Sequence, residues 1–341
     1  MKRLLLLCGG QSPEHTISIR SCKNILGALD RDRFSVTLIG ISSSGSWVLL
    51  DESELEEEVI GNGKHIEIRP GQRDCFWCHG ESLGFFDVVF PILHGPNGED
   101  GSIQGMMQLL GIPFVGPGII SSSVCMDKDV SKRLLKERGV NVAAWLTLHS
   151  DEEVSFDEVK SELGLPLYVK PANMGSSVGV HKVENAGAWG VALSDAFKYD
   201  KKVLVEESIQ GREIECAVLG NQDPKATGLG EVVSSTFYSY QEKYDANSQT
   251  ETVIPANIEE KYVAKLRSTA LKSYKALECE GMSRVDMFLT EDGDVFVNEV
   301  NTIPGFTSIS MYPKLWEQEG LSYGELLNQL MELAIAKGKP N

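Results

Sequence analysis

Apolar positions along this chain follow two periods, and the switching between them predicts its elements. Leu4–Cys8, Ser35–Ile41, Val88–Leu93 and Phe114–Val115 read as strands, whereas Thr16–Leu29 and Ser102–Leu110 repeat at helical spacing. That alternation predicts a parallel α/β sheet over roughly the first 120 residues. Met126–Gly139 reads as a charged helix ending in glycine, and Asp157–Leu163 as another ending near Gly164-Leu165-Pro166. Tyr168–Lys170 and Val178–Lys182 read as strands around a glycine-serine loop, and Lys202–Glu206 and Ile214–Leu219 continue a mostly antiparallel pattern. Ser234–Thr252 is polar and tyrosine-rich without a period, which predicts a functional loop that orders over bound ligand. Ile258–Glu278 and Gly324–Lys337 are the remaining long helical segments, and no internal repeat is visible.

Composition narrows the classes. A chain of 341 residues is too long for one small core, so two or three domains are expected. Its 42% hydrophobic and 24% charged residues are ordinary for a soluble protein. A net charge of −17 argues against nucleic acid or an anionic membrane as partner; a polyanionic ligand would need local lysines and a metal. The apolar run at Leu4–Cys8 is shorter than the ~7–15 residues of an export signal and fits a buried first strand. Cys75-Phe76-Trp77-Cys78-His79 matches a haem-attachment pattern but, without other haem context, is expected to be a chance loop sequence. Seven cysteines, an odd number, predict reduced thiols and a cytoplasmic protein. No run approaches the ~18 apolar residues of a membrane span.

Candidate chemistry concentrates near the C-terminus. Val285–Leu289 and Val295–Val300 alternate around the turn residues Glu291–Asp294, so Asp286, Glu299 and Asn301 can share one face of a hairpin. Two carboxylates and an amide oxygen suit a hard cation such as Mg²⁺ that also holds phosphate, although a surface hairpin of solvated acids carries the same letters. Arg284, two residues from Asp286, can serve a ligand or simply pair with that aspartate. Lys170 to Gly179 places a lysine before a loop with Gly175, Ser176, Ser177 and Gly179, whose backbone N–H groups and hydroxyls can approach an anion. It lacks the residue order of a P-loop.

The order and spacing of Lys128, Lys170, the Gly175–Gly179 loop, Glu206, Glu213, Asp286, Glu299 and Asn301 resemble the ATP-grasp superfamily. Within it, the chain resembles the D-alanine–D-alanine ligases from end to end. The matching stretches are Gly9–His15, His94–Gly101, Met126–Lys128, Lys170–Gly179, Glu242–Tyr244 and Asn298–Ser308. The resemblance implies an α/β fold (α+β overall) of three domains. These are an N-terminal parallel α/β substrate-binding domain at 1–122, a central ATP-grasp subdomain at 123–210 and a C-terminal one at 211–341 carrying the metal and acceptor sites. It implies ATP-dependent joining of two D-alanines through a D-alanyl phosphate, releasing ADP and phosphate, for peptidoglycan synthesis.

The roles it implies are specific. Lys128, Lys170, Ser176, Ser177 and Lys243 would hold phosphate; Glu206 would accept the adenine amino group and Glu213 the ribose hydroxyls. The family often has lysine where this chain has Glu207, so backbone groups would serve the nucleotide there. Asp286, Glu299 and Asn301 would hold two Mg²⁺ or Mn²⁺ ions. Glu14 would receive the ammonium of the first D-alanine with His94 nearby, and Glu14, Ser176 and Tyr244 would form a hydrogen-bonded trio over the closed site. Arg284 and the Gly305 N–H would form an oxyanion hole, and Ser310 with the Met311 backbone would bind the second carboxylate. The expected partners are D-alanine and ATP, with no nucleic acid and no membrane, and the expected assembly is a homodimer. Two rival readings stand: a ligase that uses D-lactate or D-serine as second substrate, and a nucleotide-binding regulator without ligase activity. The intact Glu242-Lys243-Tyr244 and the lack of histidine between Ser234 and Pro255 argue against D-lactate, while Met311 and Tyr312 lie near the expected second pocket.

Overall fold

The computed structural model describes residues 1–152, 154–233 and 251–338. The first sheet has the order β3-β2-β1-β7, from β1 (Lys2–Gly9), β2 (Phe34–Ile41), β3 (Trp47–Leu50) and β7 (Val88–Pro91). Its β1–β2 and β1–β7 pairings are parallel, and only the edge strand β3 is antiparallel. The run Leu4–Cys8 is continuous because both faces of β1 are covered. Leu4, Leu6 and Cys8 join one core, and Leu5 and Leu7 another. Helix α1 (His15–Ala28) follows β1, as the helical period predicts.

Three sequence expectations change here. Phe114–Val115 forms only a parallel bridge from Phe114 to Val89, not a full strand. The expected loop at Cys75–His79 contains strand β5 (Phe76–Cys78), between β4 (Ile66–Ile68) and β6 (Glu81–Ser82). Burial of Cys75, Phe76 and Cys78 drives that pairing, and both thiols are free. The helix expected from Met126 to Gly139 begins only at Lys128, because a separate helix ends at Met126. After α2 (Ser102–Leu109) comes α3 (Ile119–Met126), and then Asp127 caps α4 (Lys128–Glu137) by accepting the Asp129 and Val130 N–H groups.

The second sheet is wholly antiparallel, in the order β10-β9-β11-β8. It contains β8 (Trp145–His149), β9 (Leu167–Pro171), β10 (His181–Val183) and β11 (Lys202–Glu207), with helices α5 (Phe156–Leu163) and α6 (Ala186–Ala196). These elements share a core of their own, built on Val159, Leu167, Val169, Trp189, Val203 and Val205. The strand expected at Val178–Lys182 begins only at His181. Ser176, Ser177 and Gly179 have φ of 50°, 59° and 68°, so the chain turns through these positions instead of extending.

The third sheet, in the order β14-β13-β12-β15-β16, is also antiparallel. Its strands are β12 (Arg212–Gly220), β13 (Lys225–Val233), β14 (Glu251–Val253), β15 (Gly281–Leu289) and β16 (Val295–Asn301). Helix α7 (Glu260–Ala276) packs on one face through Leu266, Ala270 and Tyr274. Helices α8 (Met311–Gln318) and α9 (Tyr323–Lys337) join the opposite side to the first sheet. Leu4, Phe90 and Ile92 share one core with Ala217, Leu219, Phe306, Tyr312, Trp316 and Leu330. Most of the expected Ser234–Thr252 loop, with Lys243 and Tyr244, lies outside the described residues; Glu251 and Thr252 open β14.

Candidate active site

The hairpin of β15 and β16 shows how the carboxylates reach one face. Register places Glu215, Asp286 and Glu299 in a row across β12, β15 and β16, with Arg284 opposite Asn301 one step along. Strict alternation from the buried Val295 and Val297 would send Glu299 into the core. A register shift, with Asp286 opposite Glu299 but Met287 opposite Val297, leaves Asn298 as an extra residue. After that bulge Val300 faces the core, and Glu299 and Asn301 face the clefts. Asp286 is held by Arg284 through bonds of 2.7 Å from Nε and 2.7 Å from Nη2, and accepts from Asn301 Nδ2 at 2.9 Å. Arg284 Nε also lies 3.0 Å from Glu215 Oε2. Burial works against the Arg284 charge, but Asp286 and Glu215 raise its pKa further, so it stays cationic.

A cleft of about 440 Å³ opens between the second and third sheets, lined by Lys128, Lys170, Ser176, Ser177, Glu206, Glu207, Glu213, Asn298 and Glu299 among others. Lys128 Nζ donates to the Met174 carbonyl at 2.5 Å, which ties the start of α4 to the glycine-serine loop. Lys170 Nζ lies 2.7 Å from Glu206 Oε2 and 3.4 Å from Asn298 Oδ1. The Glu206 carboxylate, expected to meet adenine, is thus turned to lysines: Lys132 Nζ is 3.3 Å from its other oxygen. Burial pushes the Glu206 carboxyl up, but Lys132 and Lys170 outweigh it and hold the pKa below the ordinary value. The Glu207 carboxylate accepts the Ala144 N–H at 2.6 Å, so this side chain braces β11 against the chain entering β8.

A second, smaller cleft of about 140 Å³ lies between the first and third sheets. Glu14, His94, Arg284, Asp286, Asn301, Gly305, Ser310 and Met311 all line it. Ser176 Oγ donates to Glu14 Oε1 across the join between the clefts, and a Cβ on Gly175 would stand 3.0 Å from the other Glu14 oxygen. His94 Nδ1 lies 3.1 Å from the Ile303 carbonyl and Nε2 3.0 Å from Ser21 Oγ, which in turn accepts the Phe306 N–H. Burial, with a smaller push from Arg284, lowers the His94 pKa to about 4 despite the Ile303 carbonyl. At neutral pH it is therefore an uncharged fastener between β7's loop, α1 and the 303–306 turn. Ser310 sits just before α8 and accepts the Thr307 N–H at 3.0 Å, near the N-terminal N–H groups that favour an anion.

Gly175, Ser176, Glu213, Val232 and Glu299 line both clefts, so the two spaces meet at these residues. Sequence reasoning brought most of this together but missed four polar side chains. Glu99 lines the smaller cleft, accepts the Gly95 and Ile303 N–H groups at 2.7 and 3.2 Å, and is raised to about 8 by burial and by Glu14. Its motif, His94–Gly101, was visible, but its partners are far along the chain. Glu215 and Asn298 follow from register and bulge, and Lys132 has only its i+4 spacing from Lys128 as a signal.

The chain is similar throughout to known proteins. A family model described as D-ala D-ala ligase N-terminus matches residues 3–117, and one described as D-ala D-ala ligase C-terminus matches 134–332. A D-alanine–D-alanine ligase of Oceanobacillus iheyensis is 48% identical, over 99% of this chain and 96% of that protein. Among solved structures, the D-alanine–D-alanine ligase of Coxiella burnetii is 38% identical with a TM-score of 0.87, covering 99% of this chain and 94% of its own. The VanG D-Ala:D-Ser ligase of Enterococcus faecalis is 35% identical, with a TM-score of 0.88 and coverage of 98% and 99%. A D-alanine–D-alanine ligase of Bacillus anthracis complexed with ATP is 28% identical, with a TM-score of 0.77 and 99% coverage of both chains.

Proposed function

The chain belongs to the D-alanine–D-alanine ligase family, and we propose that it joins two D-alanines at the expense of ATP, in peptidoglycan synthesis. The carboxylate of the first D-alanine attacks the γ-phosphorus, the bond to the β-phosphate oxygen breaks, and ADP leaves a D-alanyl phosphate. The amine of the second D-alanine then attacks the acyl carbon, loses a proton, and phosphate departs with the bonding pair. The observation that carries this reading is the meeting of the two clefts at Ser176, Glu213 and Glu299, where a phosphate in one space can reach a carboxylate in the other.

In this reading, Lys128, Lys170, Ser176 and Ser177 hold phosphates, Glu213 serves the ribose, and the backbone around Glu206 and Glu207 serves adenine. Glu14 receives the first ammonium, Arg284 and the Gly305 N–H stabilise the tetrahedral oxyanion, and Ser310 with the Met311 N–H receives the second carboxylate. Asp286, Glu299 and the Oδ1 of Asn301 are hard-oxygen donors on one face that would hold Mg²⁺ or Mn²⁺, and a metal there would have to share Asp286 with Arg284, which donates to both of its oxygens. Bound ions would supply charge neutralisation on the phosphates. We keep the three-domain division: the boundary at 210 falls in the loop between β11 and β12, while the one at 122 falls within α3. We extend the reading to a cytoplasmic homodimer, for whose interface Leu109 and Ile120, exposed on the neighbouring helices α2 and α3, offer apolar surface.

The rival reading, D-serine as second substrate, draws on the likeness to the VanG D-Ala:D-Ser ligase and on Met311 in the smaller cleft, but at 35% identity that ligase is more distant than the D-alanine–D-alanine ligase of Oceanobacillus iheyensis at 48%. The Tyr312 hydroxyl, by contrast, donates to the Val218 carbonyl within the core. Phosphate release with ATP and Mg²⁺ tests the proposal: it should require D-alanine and yield the dipeptide. Turnover independent of D-alanine would sink it, and preferential incorporation of D-serine would move it to the rival.

A further inference from the structure

Lys132 is a charged residue buried beside the nucleotide cleft without lining it. Its side chain is 2% exposed on α4, with Nζ 3.3 Å from Glu206 Oε1, 3.4 Å from the Ala143 carbonyl and 5.7 Å from the Trp145 ring centre. An apolar side chain of similar length would fill that slot beside tryptophan, and burying an ammonium is costly. The charge therefore needs a reason. Glu206 supplies it, because its carboxylate is shared between two lysines, one oxygen to each.

The consequence is electrostatic. A lone Glu206–Lys170 pair, with the glutamate buried and an N–O separation of 2.7 Å, is neutral as a unit and strongly self-attracted. Lys170 would then be spent on Glu206 and weakly available to an anion. With Lys132 on the far oxygen, two ammonium groups face one carboxylate, and the triad keeps one net positive charge. The cleft meets that excess charge through Lys170, which lines it while Lys132 does not; burial lowers the Lys132 pKa, and Glu206 acts against that shift. We propose that Lys132 is a positioning residue that competes for Glu206 and so keeps the charge of Lys170 available to the phosphates of the nucleotide. This rests on the reading of the larger cleft as the ATP site.

The test uses ratios of affinity, measured calorimetrically on the full-length protein with Mg²⁺ for ATP and for adenosine. Lys132→Met should weaken ATP by roughly tenfold while leaving adenosine within about twofold, since only phosphate senses Lys170. Adding Glu206→Gln to that variant should restore ATP binding toward the wild-type level, although each change alone disturbs a buried ion pair. Equal losses for ATP and adenosine would show that Lys132 only shapes the cleft, and a double variant as weak as Lys132→Met would also overturn the proposal. Should Lys132→Met fail to fold, Glu206→Gln alone decides. It should raise the ATP-to-adenosine affinity ratio, and an unchanged or lower ratio counts against the proposal. Failure of the wild-type protein to bind ATP would instead remove the cleft assignment itself.

Discussion

The two clefts are built differently. The smaller one has walls that share a core: Phe306 packs edge-on against Phe90 of the first sheet at 5.7 Å and against Tyr323 of α9 at 6.0 Å. The larger cleft has walls with separate cores, one around Trp189 and Val205 and the other around α7. A wall with its own core can shift without exposing much apolar surface, whereas a shared core resists displacement. On the proposed assignment, the amino-acid side is thus a fixed mould and the nucleotide side an adjustable one. A ligase whose acyl phosphate must be kept from water gains by closing one wall onto a fixed site.

The largest expected effect is at the junction of the two. Glu299→Gln removes a carboxylate that lines both clefts and is a proposed metal ligand. The loss of several kcal/mol of charge stabilisation should lower dipeptide synthesis on the order of 10³-fold. Retained turnover at low Mg²⁺ would contradict the metal assignment. Wild-type-like thermal melting is expected, because Glu299 faces the cleft and not the core.

Two core truncations set the walls against each other. Phe306→Ala and Trp189→Ala should each cost about 3–5 kcal/mol locally. Phe306→Ala should lower the melting of the whole molecule, since Phe306 is fully buried in the core that joins two sheets. Trp189→Ala should instead open residues 145–207 alone. Hydrogen exchange read by mass spectrometry would then show fast exchange in that segment and ordinary protection elsewhere. Uniform loss of protection in both variants would mean that the nucleotide wall has no independent stability.

What was legible in the sequence follows the same division. The hairpin chemistry at Asp286, Glu299 and Asn301 could be read because its spacing is local. How Glu299 escapes the core could not, because the bulge at Asn298 is decided by pairing with β15. Helix α6 was hidden by Gly187 and Gly190 within a short segment, and α8 by Pro313 three residues into it; both form because tertiary burial of Trp189, Tyr312 and Trp316 overrides weak propensity. Lys132 looked like one more lysine on a charged helix. Its partner Glu206 lies far along the chain, and local period carries no trace of it.

His94 tests the fixed side through pH. Its folded pKa of about 4 lies below the ordinary 6.5, so the fold favours the neutral ring. This contribution is complete above pH 6.5 and is lost as pH falls through 4, by roughly 3 kcal/mol at the lower value. Urea unfolding of wild type and His94→Gln at several pH values should show a stability gap that shrinks on acidification. A gap independent of pH would mean that His94 titrates normally.

The smallest effects separate adjacent serines in the closing wall. Ser176 lines both clefts and donates to Glu14, so it joins the adjustable wall to the fixed mould; Ser177 lines only the nucleotide cleft. Ser176→Ala deletes a hydrogen bond to a carboxylate, worth about 1.5–3 kcal/mol, and should lower kcat/KM for D-alanine by roughly 10- to 150-fold. The same bond contributes little to ATP binding if the wall can accept nucleotide before it latches, so the ATP affinity should change only a few-fold. Ser177→Ala should show the opposite split, a few-fold higher KM for ATP with an unaltered KM for D-alanine. If both serines moved the two constants together, the clefts would not act as separable sites. The independent core of the 145–207 wall would then reflect folding alone and not the order in which substrates are enclosed.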